Sequence, residues 1–232
     1  DPLQYPDVDY YGEFLNKCIS ITRANAQLSG GTANTRYFLN VGYQNNGGLE
    51  KYTDYPNNDN VLTVRGNVDN TIFDFITLKV GINAAIEKKH WPNMSTQDFF
   101  DMLSNTRPNE FPLRIPGYLV GSSEEYVLGG YARRLKNPLG ALTKNGYVER
   151  EYSYMQSDFA IDFNLDRFVR GLSIRPSFSF DFYNEYTSKK AGGYAVYELL
   201  YDGEGNMLMN EDGTAQFVKH GVDNPNTKQE RG

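Results

Sequence analysis

The sequence predicts an all-β fold: an antiparallel section of a transmembrane β-barrel, about six strands, with long extracellular loops, one carrying a short helix. Three observations predict it. Apolar and polar residues alternate along six runs, short and long connections alternate between those runs, and charge stays off one face through the middle of each run. The composition fits, with 18 Tyr and 14 Phe against one Trp, and 22 Gly, the loading of a turn-rich β protein. No run approaches the ~18 apolar residues of a membrane helix. Barrel strands alternate, so a mean hydropathy of -0.60 does not count against a membrane.

Residues 1–18 form a lead-in. Pro2 and Pro6 break it early, and Asp9 is placed to cap a short helix over Tyr10–Asn16. The first strand covers 19–29, with Ala24, Ala26 and Leu28 on its apolar face. A polar turn, Gly30–Asn34, leads into the second strand, Thr35–Gln44. There Tyr37, Leu39, Val41 and Tyr43 share one face while Arg36, Phe38, Asn40 and Gly42 share the other. Aromatics at both ends of an aliphatic band suit a lipid-facing strand; a half-buried strand of a soluble sandwich has the same pattern.

Asn45–Asn60 is a polar loop. The third strand, Val61–Asp69, is followed by a turn at Asp69–Thr71 and a fourth strand over Phe73–Glu87. That length exceeds an ordinary globular strand and matches a tilted bilayer crossing with overhang. The long loop, 88–147, holds one helix signal: Ser95 as N-cap, Asp98 three residues on, and an apolar side of Phe99, Phe100 and Leu103. A loop of this size requires internal structure or a covering partner. A fifth strand covers Arg150–Leu165. After a turn at Asp166–Gly171, a sixth carries Leu172, Ile174, Pro176, Phe178, Phe180 and Phe182 on one face. Pro176 conflicts with a regular ladder, and a bulge would resolve it. The tail, 184–232, reads as an extracellular loop with a small hairpin, in which Asp202–Asn206 is a plain turn rather than a calcium loop.

The short connections are Gly30–Asn34, Asp69–Thr71 and Asp166–Gly171; the long ones follow the second, fourth and sixth strands. Outer-membrane barrels segregate loop length in this way. Arg36, Arg65, Lys79, Asp158, Asp162, Arg175 and Asp181 all fall opposite the apolar set and are expected to face a lumen. Six strands cannot close a membrane barrel, and open edges are not viable in hydrocarbon. The chain is therefore expected to be part of a larger wall in the lipid bilayer.

Other classes find less support. A net charge of -6 with no basic stripe excludes nucleic acid as an expected partner. Cys18, the single cysteine, allows no internal disulfide and is expected to be a buried or half-buried thiol. His90 and His220 lie far apart, so neither a metal nor another cofactor is expected. Asp158 and Asp162 read as lumen-lining rather than catalytic, and no enzyme is expected. Asp1 opens no leader signature, so a leader has been removed or the chain belongs to something longer.

Short motifs also match a family. Leu28-Ser29-Gly30-Gly31-Thr32 through Thr35–Tyr43, then Gly47-Gly48-Leu49, resembles the SusC/RagA family of TonB-dependent outer-membrane transporters of Bacteroidetes. Val64–Asp69, Arg107–Pro112, Asn137-Pro138-Leu139 with Gly146-Tyr147, and Gly171–Ile174 match in family order. The resemblance implies a barrel of about 22 strands with a plug. It implies a bacterial outer-membrane location, a SusD-like surface lipoprotein as lid, and TonB-driven import of oligosaccharide or peptide. The plug and the TonB-contacting segment are not in this sequence. Loop aromatics Trp91, Tyr118, Tyr126 and Tyr131 are candidates for stacking on ligand; the other reading of each is loop packing or lid contact. A soluble β-sandwich binding module remains the alternative.

Overall fold

The computed structural model describes residues 2–52 and 57–231, the last seven by backbone alone. Its long strands are β1 (Ile21–Gly31), β2 (Thr35–Gly47), β3 (Asn58–Phe73) and β4 (Ile76–Pro92). The chain continues through two short strands, β5 (Arg114–Pro116) and β6 (Tyr126–Leu128), to β7 (Gly146–Asn164), β8 (Ser173–Ile174) and β9 (Ser177–Gly193). After a second short pair, β10 (Val196–Leu199) and β11 (Phe217–His220), it ends in β12 (Asn224–Arg231). The helices are α1 (Tyr10–Phe14), α2 (Thr96–Asn105) and α3 (Pro138–Thr143).

One antiparallel sheet runs β1-β2-β3-β4-β7-β9-β12, with β8 extending the β7–β9 ladder. It is open: β1 and β12 are its edges, and no closure is seen among the described residues. Register carries each face across the strands. Ala26, Val41, Val64, Ala84, Met155 and Phe182 stand opposite one another in one row. The next row down is Leu28, Leu39, Gly66, Ile82, Ser157 and Phe180. From the Ile76 row to the Ile86 row, this face holds no Asp, Glu, Lys or Arg on β2, β3, β4, β7 or β9. Ten residue steps at ~3.3 Å rise span about 33 Å of strand. At a tilt of ~40° that becomes ~25 Å, the height of a barrel's apolar band. No second sheet covers the band, and Leu39, Leu62, Ile82, Phe178 and Phe180 are exposed. The burial that a sandwich requires is missing among the described residues.

Several boundaries differ from the sequence reading. Asp69 and Asn70 stay in the ladder, opposite Lys79 and Leu78. The turn falls at Asp74–Phe75 instead, after a register shift between Thr71 and Phe73. That bulge sets Phe73 opposite Ile76 on the apolar face. At Pro176 no bulge forms. Phe163↔Ile174 and Ala160↔Ser177 keep one register, and the Pro176 carbonyl still accepts from Ile161 N at 3.1 Å. The proline costs that rung only the bond its nitrogen cannot donate. β9 continues through Gly193 and β12 returns to pair with it, so the tail adds a strand to the sheet as well as loop. Cys18 is exposed rather than buried.

The long connections fold into a cap at one end of the sheet. Tyr10, Phe14, Phe99, Leu103, Leu113, Leu128, Leu139, Leu142 and Val196 form one core. Ile115, Val120, Val127, Leu199 and Ala215 form a second. The two cap signals visible in sequence hold: Asp9 Oδ1 accepts from Gly12 N, and Ser95 Oγ accepts from Asp98 N. A further helix, α3, is capped by Asn137. Asp202 folds its carboxylate into its own turn, accepting from Glu204 N and Asn206 N.

Candidate functional site: the polar rim below the cap

The sheet's polar face changes character along its length. Near the short turns it is a ladder of charge. Arg36 Nη2 donates to Asp69 Oδ2 at 3.3 Å. Asp162 is shared by Lys79, at 2.8 Å, and by the forked guanidinium of Arg175. Higher up, Ser179 Oγ donates to Asp158 Oδ1 at 2.7 Å. Register sets Arg65 between Asn40 and Asn83, and Asp181 opposite Gln156. All seven charged residues expected on this face therefore lie on it. Cross-strand opposite charges hold register, though each exposed pair adds little stability.

Near the cap the same face becomes aromatic. Side chains two apart on a strand share a face, which places Trp91 and Lys89 of β4, Arg150 and Tyr152 of β7, and Tyr183 and Glu185 of β9 together. The Arg150 guanidinium lies over the Trp91 ring at 5.7 Å and over Tyr152 at 5.9 Å. It donates to Thr187 Oγ1 at 3.1 Å and to the Tyr152 hydroxyl at 3.0 Å, with Glu185 at 3.5 Å. Lys89 sits over Tyr152 at 5.6 Å and pairs with Glu87 at 2.7 Å. The Tyr183 hydroxyl donates to Glu185 Oε2 at 3.0 Å. Aromatic faces beside a fixed guanidinium fork and carboxylates suit a polar organic ligand, offering stacking and hydrogen bonds together.

The four aromatics proposed from sequence take different places. Trp91 is in β4 rather than in the loop, because the strand runs on to Pro92. Tyr118 is 74% exposed on the turn 117–120 of the cap. Tyr126 packs against the first core, with Arg114 5.5 Å from its ring. Tyr131 donates to Glu110 Oε1 at 2.7 Å. Only Trp91 joins the rim cluster. Arg150 and Tyr152 were legible on their own strand, sharing the parity of Gln156 and Asp158; Tyr183 lies where β9 loses its alternation.

Within the cap, Glu110 organises the Arg107–Pro112 segment. It accepts from Arg107 N at 3.0 Å, from Tyr131, and from Arg134 Nε at 2.8 Å. Burial pushes its carboxyl up, and these hydrogen bonds outweigh that and hold it below its ordinary value.

With this geometry in view, the chain is similar to a solved structure described as the RagAB peptide transporter. The match has a TM-score of 0.53 at 18% identity and covers 80% of this chain and 20% of that one. At that identity the likeness concerns the fold. The chain spans about a fifth of the transporter chain's length. No family model matches, and no curated protein does.

Proposed function

We propose that the chain is part of the wall of a TonB-dependent outer-membrane importer of the SusC/RagA class, a transport scaffold rather than an enzyme. One observation carries the reading: across β2, β3, β4, β7 and β9 the sheet has a band on one face that is charge-free and uncovered among the described residues, and a charged, aromatic-rimmed face on the other. Its connections support it, being short at one end and built into a folded cap at the other. The likeness to the RagAB peptide transporter supports the same reading of the fold.

On this reading the apolar band meets lipid, and the edge strands are closed by the rest of a barrel of about 22 strands, which also encloses a plug. The polar face lines the lumen. The cap faces outward and meets a SusD-like lipoprotein, and the rim cluster guides a peptide or oligosaccharide inward. TonB acts through a part of the transporter outside this chain.

Membrane fractionation tests the proposal. The polypeptide carrying this sequence should stay in the outer-membrane pellet through alkaline carbonate, enter solution only with detergent, and bring a lipoprotein with it. Release by carbonate without detergent would overturn it.

A further inference from the structure

We propose that the turn joining β7 to β8, Asp166–Gly171, binds the phosphate headgroup of an anionic phospholipid. The inference rests on the membrane reading above and goes beyond it, assigning a specific lipid site to two arginines.

Charge pairing singles out this turn. Near the short-turn end, Arg36 is taken by Asp69, and Lys79 and Arg175 are taken by Asp162, all on the polar face. Arg167 and Arg170 make no ion pair among the described residues. They flank Phe168, 75% exposed, and Val169, 58% exposed. Neither of the other short turns, 32–34 and 74–75, carries a basic residue.

The turn is held in shape. Asn164 Oδ1 accepts from Asp166 N at 3.0 Å, and Asp166 Oδ1 accepts from Gly171 N at 2.6 Å. Gly171 has φ +80°, a conformation that glycine adopts without strain. The Asp166 carboxylate is thereby drawn into the backbone. The turn also continues the apolar face. Its bottom row is Phe73, Ile76, Phe163 and Ile174, and the Phe73 and Phe75 rings stack at 5.9 Å. Arg167 lies 5.5 Å from the Phe75 ring, which ties its guanidinium to that apolar row. Exposed apolar groups between cations are suited to an interface, with Phe168 and Val169 among acyl chains and the guanidinium forks on phosphate oxygens.

Lipid retention by the intact transporter tests this. The native protein in nanodiscs of mixed phosphatidylglycerol and phosphatidylcholine is weighed by native mass spectrometry. It should retain phosphatidylglycerol preferentially, less so at high salt. Arg167→Gln with Arg170→Gln should weaken that retention about 25-fold, from a factor of about five per basic group near an anionic surface. Arg133→Gln, in the cap, should leave it unchanged, and excess inorganic phosphate should not displace the lipid. Equal retention of both lipids by the native protein, undiminished retention by the double variant, or displacement by inorganic phosphate (which marks a free-anion site) would each overturn the assignment. Failure of the membrane reading looks different, since the protein would then enter buffer without detergent.

Discussion

The Tyr194 hydroxyl donates to the Asn137 backbone carbonyl at 3.1 Å, joining the long loop to the end of β9. Asn137 is fully buried. Its Nδ2 donates to the Leu113 and Gly129 carbonyls, and its Oδ1 accepts from Leu139 N and Gly140 N at the start of α3. Asn137→Ala removes the side-chain partner of four backbone groups, of which only the Leu113 carbonyl keeps a second donor, Gly129 N at 3.4 Å, and is expected to cost the cap about 2–4 kcal/mol. Hydrogen exchange should show lost protection across 110–143 with the sheet unchanged. Unaltered protection of the cap would contradict this.

The pH response of the cap follows from Glu110. Its hydrogen bonds hold the folded carboxyl below the ordinary 4.5. A group with a lowered folded pKa contributes stability above its unfolded value and loses it as pH falls through the folded value. Cap protection should therefore hold down to about pH 5 and decline below that. In Glu110→Gln, the part of the acid decline that belongs to this carboxylate should be gone. An acid decline identical to the native protein's would contradict its role.

Face assignment predicts opposite outcomes for neighbouring residues. On the membrane reading, Ile82→Lys puts a charge in the lipid-facing band and should cost ~2–4 kcal/mol of barrel stability. Asn83→Lys, one residue on and on the polar face, should assemble normally. Heat-modifiable migration of the outer-membrane species reads both. Equal tolerance would contradict the assignment.

At the rim, Arg150→Ala removes the guanidinium that spans Trp91 and Tyr152. On the transporter reading, assembly should be unaffected, while affinity for a peptide or oligosaccharide mixture should fall roughly tenfold. Unchanged binding would show that the cluster serves only the wall.

How much was legible in the sequence followed from where one-sided burial exists. Tyr37 to Tyr43 and Leu172 to Phe182 alternate cleanly because one face there is apolar. Above the band neither face is apolar, so Tyr183–Gly193 loses its period and reads as loop although it is strand. The turn after β3 was misplaced because Asp69-Asn70-Thr71 carries turn-forming residues, while cross-strand pairing with Lys79, Leu78 and Thr77 keeps it extended. Ser95 and Asp98 announced α2 by local chemistry alone. Asn137 before Pro138 is a start signal of the same kind for α3, but its bonds to Leu113 and Gly129 use carbonyls that only the fold brings to it. The rim cluster was missed for the same reason, since Arg150, Trp91 and Tyr183 come from three strands.

The most direct test of the membrane-wall account is spin-label accessibility along Leu78–Ile86 in the native membrane, with Cys18→Ser removing the one thiol in this sequence. The account predicts a period of two. Labels at 78, 80, 82, 84 and 86 should collide with oxygen dissolved in lipid, and labels at 79, 81 and 83 with a water-soluble nickel reagent. Even-numbered labels shielded from both reagents, as in a sandwich core, would contradict it.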